Sequence, residues 1–319
     1  MAGAWTAQYS FDDILGESES LQSAIRVAQH AAKTDYPTLV VGESGTGKEL
    51  LAHAIHNASR HRNEPFVAVN CGTLCGEIAL AEMCGYEPGS FTGADRRTRV
   101  GILDIARDGT LFLDELQDLP ATPQRALLRF LETGSFLRVG GTEPVKSQPR
   151  VIAASNVPPD ELERKGLVRS DLLYRLNCLT IELRPLRERR EDLRPIADRC
   201  LREELHFLGE VEESFWSALR RSAYHWPGNA RGLRNVLLKA ILQSKQDRLT
   251  GDDLPTDLSI LPAESTPPRE EPDVRFDDVP AHDAELHAVL RATRNNVSET
   301  ARRLGIHRST IYRRLSRAR

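Results

Sequence analysis

A lysine at the end of a glycine run is placed to hold phosphate, and TLVVGESGTGKE, Thr38 to Glu49, puts one at Lys48. Gly42, Gly45 and Gly47 let the backbone curl so that the N–H groups of the loop, through Glu43, Ser44 and Thr46, point inward at phosphate oxygens. The N-terminus of the following helix adds partial positive charge, and Lys48 would reach the β- and γ-phosphates of a nucleotide. The spacing meets G-x-x-x-x-G-K-[ST] from Gly42 to Lys48 and departs from it at Glu49, where a carboxylate replaces the hydroxyl that normally touches magnesium. A second pair of groups stands in TLFLDE, Thr110 to Glu115. Asp114 suits a magnesium ion and Glu115 suits orienting and deprotonating an attacking water. Asn70 and Asn156 each follow a short apolar run, where an amide can sit beside a γ-phosphate or simply make a turn.

These groups need a parallel sheet to bring them together. Thr38 to Val41, Phe66 to Val69, Thr110 to Glu115 and Arg150 to Ala154 are short apolar runs that read as buried strands. Adjacent acids on one strand would point to opposite sides, which fits the division of labour between Asp114 and Glu115. Helical spacing marks Leu21 to Ala32, Lys48 to Ala58 and a segment around Leu74 to Met83. These strand candidates alternating with helices predict an α/β fold with a mostly parallel sheet covered on both faces and ligands at its carboxyl end. Glu191 to Phe207, Glu212 to Tyr224 and Asn229 to Ser244 predict a second, all-helical domain, with the tight turn WPGN, Trp226 to Asn229, starting the helix that bears Arg231. Gly85 to Arg97 has two aromatics and no periodicity, so it reads as a surface loop with Phe91 exposed at its tip.

Composition bounds the class. With 40% hydrophobic and 28% charged residues in 319, the chain is an ordinary globular one of two or three domains, no run approaches a membrane span, and an N-terminus without a basic start or an apolar stretch predicts no export. The five cysteines lack paired C-x-x-C spacing, which predicts reduced thiols in a cytoplasmic protein. Charge is uneven. From Arg291 to Arg319 nine arginines face the single acid Glu299, a balance of +8 that leaves −11 for the rest of a chain whose net charge is −3. A basic end on an acidic body predicts that this end meets nucleic acid. The segment has a helix, a short turn at Gly305-Ile306 and a second, arginine-rich helix, the pattern of a helix-turn-helix. Its Arg308, Ser309, Thr310 and Arg313 would reach base edges or phosphates, and Arg314 and Arg317 phosphates. Ser259 to Pro280, rich in proline and acids, is a linker.

The sum of these motifs resembles the bacterial enhancer-binding activators of sigma-54 RNA polymerase, AAA+ ATPases with a Fis-type helix-turn-helix. GESGTGKE is similar to the family's phosphate loop, glutamate included, GTLFLDE to its Walker B segment and VIAASN to its first sensor, so Asn156 becomes a sensor residue. Asn70 in FVAVN corresponds to the switch asparagine that holds the catalytic glutamate. VRSDLLYRLN resembles the segment that presents arginine fingers to a neighbouring subunit, here Arg169 and Arg175, and WPGNARGLRN resembles the second sensor, with Arg231 facing the nucleotide. GSFTGA resembles the GAFTGA loop that engages sigma-54, which makes Gly89, Ser90, Phe91, Thr92, Gly93 and Ala94 the contact segment. Ser90 stands where that loop has alanine, Val168 where a phenylalanine precedes the finger, and Gly232 where the second sensor has glutamate.

The resemblance implies an N-terminal tail 1–10, an AAA+ α/β ATPase subdomain 11–184, a helical lid 185–258, a linker 259–281 and a helix-turn-helix domain 282–319. It implies ATP and Mg2+ as cofactors, and sigma-54 RNA polymerase, upstream double-stranded DNA and a homo-oligomer, a hexamer, as partners. Because the ATPase module begins near Met1, control is expected from a separate regulatory protein, from expression level, or not at all. A general AAA+ remodeller and a DNA-binding regulator with impaired ATPase are the rival expectations, separated by binding to a defined duplex and by hydrolysis with a Glu115→Gln control.

Overall fold

The computed structural model describes residues 5–90, 98–222, 224–244 and 247–255, all within one compact unit. The expected linker, the helix-turn-helix with Arg308, Ser309, Thr310, Arg313, Arg314 and Arg317, and the contact residues Phe91, Thr92, Gly93 and Ala94 lie outside the described residues. Among the described residues no helix is long and apolar enough to cross a membrane.

Seven strands matter here: β1 (Thr38–Val41), β2 (Phe66–Asn70), β3 (Thr110–Asp114), a hairpin of β4 (Ser135–Leu137) and β5 (Pro144–Lys146), then β6 (Arg150–Ser155) and β7 (Leu179–Glu182). Five of them form one parallel sheet in the order β2-β3-β6-β1-β7. A parallel sheet needs crossovers, and these put helices on both faces, so its strands are apolar on both sides. Side chains alternate accordingly. Leu111, Leu113, Leu39 and Val151 pack on one face, Phe112, Val40, Ile152 and Phe66 on the other. The helices of this half are α1 (Glu19–Ala32), α2 (Lys48–Asn57), α3 (Ala79–Cys84), α4 (Ile102–Ile105), α5 (Ala121–Thr133), α6 (Pro159–Arg164) and α7 (Ser170–Leu176). Leu21, Ala24, Ile25, Ala28, Ala31 and Ala32 line the buried stripe of α1, the spacing seen in the sequence, and Ser18 caps it by accepting from the N–H of Leu21. At its other end the buried Arg150 donates to the carbonyls of Ala31 and Ala32, where a cation complements the helix dipole.

The lid is mostly helical, but it departs from the all-helical expectation by one short parallel strand pair, Glu210–Val211 with Arg248–Leu249, each strand only two residues long. α8 (Leu193–Arg199) runs into wider turns over Cys200–Glu204, and α9 (Glu213–Arg221) and α10 (Asn229–Gln243) close around Trp226, Phe215 and Leu237. Three further expectations change. The helix expected around Leu74 to Met83 is confined to α3, with one short turn at Gly76–Ile78 before it, because Gly76 adopts φ 68°, which a continuing helix cannot hold. Tyr86 is not at the loop surface: it is 7% exposed, and its backbone bridges Arg99 and Val139. The strand expected through Glu115 ends at Asp114, since Glu115 is left-handed at φ 53°, so alternation along a strand does not separate the two acids.

Candidate functional site

All strands of the main sheet run the same way, so their carboxyl ends gather the polar residues on one edge. β1 gives way to the phosphate loop, β2 ends at Asn70, β3 at Asp114, and Asn156 follows β6. The loop is shaped by Gly45 at φ 76° and Gly47 at φ 102°, the latter capping α2, conformations that a side chain would strain. Its root is held by the Gly42 N–H on the Ser155 carbonyl at 3.1 Å. Lys48 is 9% exposed and donates to the carbonyls of Gly42 at 2.7 Å and Glu43 at 3.0 Å, which leaves one of its three protons for a ligand. Burial lowers the Lys48 pKa, while the nearby Asp114 and Glu115 carboxylates work against that shift. Burial raises the Asp114 pKa, opposed by its hydrogen bond from the Glu115 N–H and by Lys48.

Asn70 and Glu115 are brought into contact. Asn70 Nδ2 donates to Glu115 Oε2 at 3.0 Å, and Asn70 Oδ1 accepts from the Gly72 N–H at 2.9 Å, which fixes the amide's orientation. The left-handed backbone at Glu115 turns its carboxylate out of the strand line toward that amide. Glu49 lies exposed in the first turn of α2, with its carboxylate 4.0 Å from His53. Asn156 is exposed at the same sheet edge, beyond Ser155, whose hydroxyl lies 3.2 Å from Gln117 and 2.8 Å from the Val157 carbonyl.

The lid closes on the phosphate loop. Arg231 Nη1 donates to Ser44 Oγ at 3.1 Å, the Ala230 N–H to the Gly45 carbonyl at 3.1 Å, and Asn229 Nδ2 to the Ser44 carbonyl at 2.9 Å. The approach is so close that a Cβ on Gly45 would lie 2.2 Å from the Gly228 carbonyl oxygen. Glu43 does not face the loop's hollow. Its carboxylate takes both Arg187 nitrogens, at 2.7 and 2.9 Å, plus Asn229 Nδ2 at 3.3 Å, and the Arg187 bonds hold its pKa low. The buried Arg189 donates to the Thr46 carbonyl at 3.0 Å and stands 3.6 Å from the fully buried Asp192. Asp192 in turn accepts from the Glu17 and Ser18 N–H groups and the Ser18 hydroxyl, tying the start of α1 to the lid. Arg187, Arg189, Asn229 and Asp192 escaped the sequence reading. Only the WPGN turn, which ends in Asn229, signalled any of them.

Beside Thr46 and Gly47 opens a cavity of about 460 Å3, walled by Tyr9, Ile14, Leu50, Arg189 and Ile196. Its surface is mostly apolar, and Asp13, Arg199, Glu203 and Glu204 also line it. Arg169 and Arg175 are elsewhere. Both lie at α7, exposed, with Arg169 paired to Asp171 at 2.7 Å, and no hydrogen bond or ion pair among the described residues links either to the phosphate loop or to Glu115. They are not brought together with the site within one chain. Ser90 is turned inward: its hydroxyl lies 2.7 Å from the Val139 carbonyl oxygen of the β4–β5 hairpin turn, while Gly89, at φ 75°, occupies the preceding turn.

Known proteins resemble this chain along its length. A model described as the sigma-54 interaction domain matches residues 14–182, one described as the AAA+ ATPase lid domain matches 187–271, and one described as bacterial regulatory protein, Fis family, matches 284–317. The acetoin dehydrogenase operon transcriptional activator AcoR of Bacillus subtilis is 37% identical over 97% of this chain and 51% of its own length. The DNA-binding transcriptional regulator NtrC of Azospirillum brasilense is 35% identical over 95% of this chain and 68% of its own. The chain thus spans between half and about two thirds of such relatives. The crystal structure of NtrX from Brucella abortus superposes with a TM-score of 0.68 at 31% identity over 95% of this chain and 69% of that one, and its complex with ATP with 0.67. Thermotoga maritima RuvB, at 18% identity and a TM-score of 0.55, shares the fold alone. With Lys48, Asp114, and the bonded pair Asn70 and Glu115 all inside a match that spans more than half of the 319 residues, the chain belongs to the sigma-54 interaction domain family.

Proposed function

We propose that the chain is an ATP-hydrolysing activator of sigma-54 RNA polymerase that binds DNA upstream of promoters and remodels the closed promoter complex. What carries it is the Asn70 amide bonded to Glu115 at 3.0 Å, beside a buried Lys48 in a phosphate loop. An amide that holds the general base in one arrangement can release it in another, and so can link hydrolysis to movement. The loop N–H groups and Lys48 hold the phosphates, Arg231 and Ser44 meet them from the lid side, and the cavity walled by Ile14 and Leu50 takes the base. Asn156 contacts the γ-phosphate or the attacking water from the adjacent strand end. The donor set suits Mg2+, a single hard carboxylate at Asp114 beside the phosphates. When bound, that ion neutralises phosphate charge, and Asp114 is the residue that holds it.

The chain works as a homo-oligomer, a hexamer in the cytoplasm, in which a neighbour's Arg169 and Arg175 complete the site. Their placement away from this chain's own phosphate loop supports that division. Residues 89–94 meet sigma-54, and residues 282–319 bind the DNA. A Thr92→Ala variant tests the coupling. It is expected to retain ATP hydrolysis, measured by phosphate release, and to lose activation of transcription from a sigma-54 promoter. Retained activation would remove the contact role from residues 89–94.

A further inference from the structure

Ser90 carries a hydroxyl where the pattern of the resembled loop has alanine, and in the structure that hydroxyl is in use. It lies 2.7 Å from the Val139 carbonyl oxygen and also meets the carbonyl of Glu87. Pro88 and Gly89 are the central pair of a tight turn, Gly89 at φ 75°, closed by the Ser90 N–H on the Glu87 carbonyl at 3.3 Å, the pattern of a type II turn. Three ties fix the residues before this turn to the hairpin whatever stands at position 90. The Val139 N–H donates to the Gly85 carbonyl at 2.9 Å, the Glu87 N–H to the Val139 carbonyl at 3.0 Å, and Arg138 Nη1 to Glu87 Oε1 at 3.3 Å. The Ser90 hydroxyl extends the anchored stretch from Glu87 to the residue just before Phe91. Gly140 is fitted to it, since a Cβ there would lie 2.4 Å from Ser90 Oγ.

Two lengths of chain meet at this anchor. One leaves Asn70 and passes through α3 to Gly85, and the other leaves Glu115 and passes through α5 to the hairpin. Their starting points are the two side chains joined by the 3.0 Å bond. We propose that Ser90 is a positioning residue that fastens the start of the 91–94 segment to the β4–β5 hairpin, so that a shift of the hairpin during nucleotide turnover is passed to that segment. Its consequence for transcription rests on the function proposed above, whereas the fastening does not.

Hydrogen–deuterium exchange of the full chain, with and without ADP and aluminium fluoride in Mg2+ buffer, reads the fastening. Transcripts formed per ATP hydrolysed at a sigma-54 promoter read its consequence. In the native protein, peptides covering 135–147 and 85–99 change protection together when the analogue binds. In Ser90→Ala the hairpin peptide still responds, the 85–99 peptide exchanges about fivefold faster and ceases to follow it, and the yield per ATP falls about fivefold, the worth of one hydrogen bond. Ser90→Thr, which keeps the hydroxyl, restores both, and Gly140→Ala, which drives a methyl against that hydroxyl, reproduces the loss from the hairpin side. Peptides that do not move together in the native protein, or that still do in Ser90→Ala, overturn the proposal. If the coupled exchange is present and is lost in Ser90→Ala, but the protein never acts on the sigma-54 polymerase, the functional reading falls and the fastening stands.

Discussion

The phosphate loop is approached from two sides, and the two are built differently. At the end of β3 one near-surface hydrogen bond joins Asn70 to Glu115. On the lid side Glu43 alone takes three bonds, two of them from a guanidinium, and the fully buried Asn229 adds bonds to the Ser44 carbonyl and from the Leu186 N–H. A single solvent-exposed bond, even to the Glu115 carboxylate, exchanges easily with water, whereas several bonds to one group, two of them between a guanidinium and a carboxylate, resist exchange. The side proposed to change with the nucleotide is therefore loosely held, and the side that faces the lid is braced.

The sharpest test of the loose side is Glu115→Gln. The glutamine oxygen can still accept from Asn70, so the arrangement survives while the base is removed. Turnover is expected to fall about a thousandfold, some 4 kcal/mol in the barrier, with nucleotide affinity retained. Phosphate release and fluorescent-nucleotide titration measure the two. Turnover within tenfold of the native rate would show that Glu115 is not the base, and the comparison would lose its chemical half.

Both sides hang on α2 and β3, which are joined at their far ends by His56 Nδ1 and Thr110 Oγ1 at 2.8 Å. Burial, with His61, His53 and Arg150 nearby, holds His56 down at about 4. An unfolded histidine titrates near 6.5, so between those values the unfolded chain binds the extra proton and stability rises with pH. The contribution, up to about 3 kcal/mol, is fully present above about pH 6.5 and is lost as pH falls toward 4. Urea midpoints at pH 7.5 and 4.5 check it, with His56→Leu giving the smaller difference. Unlike changes at either side of the loop, this one removes the frame beneath both, so hydrolysis and nucleotide binding should fail together on acidification.

The two sides also differ in how far the sequence disclosed them. β1 and β6 read as apolar runs with polar ends because they are buried on both faces, and Lys48, Asp114 and Asn70 lie next to such runs. β7 went unplaced: at the sheet edge Thr180 and Glu182 are exposed, so its pattern is diluted. Nothing in LDELQ marks Glu115 as left-handed, a conformation that glycine or asparagine would have signalled. The bracing was hidden for another reason. Arg187 and Glu43 are 144 residues apart, and RPLRERRED offers several arginines that composition cannot tell apart. Only the packed lid selects Arg187 for Glu43 and Arg189 for the Thr46 carbonyl.

The smallest expected effects separate the two sides most cleanly. Arg187→Met keeps the apolar stem of the side chain but takes two bonds from Glu43, which retains Asn229 at 3.3 Å. The ion pair is about one third exposed on the arginine side and two fifths on the glutamate, so solvent screening limits its worth to about 1 kcal/mol. With the lid less firmly oriented, Arg231 and the Ala230 N–H meet the loop less often, and the loss should fall on KM, about fivefold, more than on kcat. Asn70→Ala removes a bond of similar worth from the other side, yet it frees the base and not the lid, so its loss, again about fivefold, should fall on kcat. Steady-state hydrolysis over a range of ATP concentrations gives both constants for both variants. If the two variants shift the same constant, then lid orientation and base positioning are one function, and the loose and braced sides are a difference of construction without a difference of role.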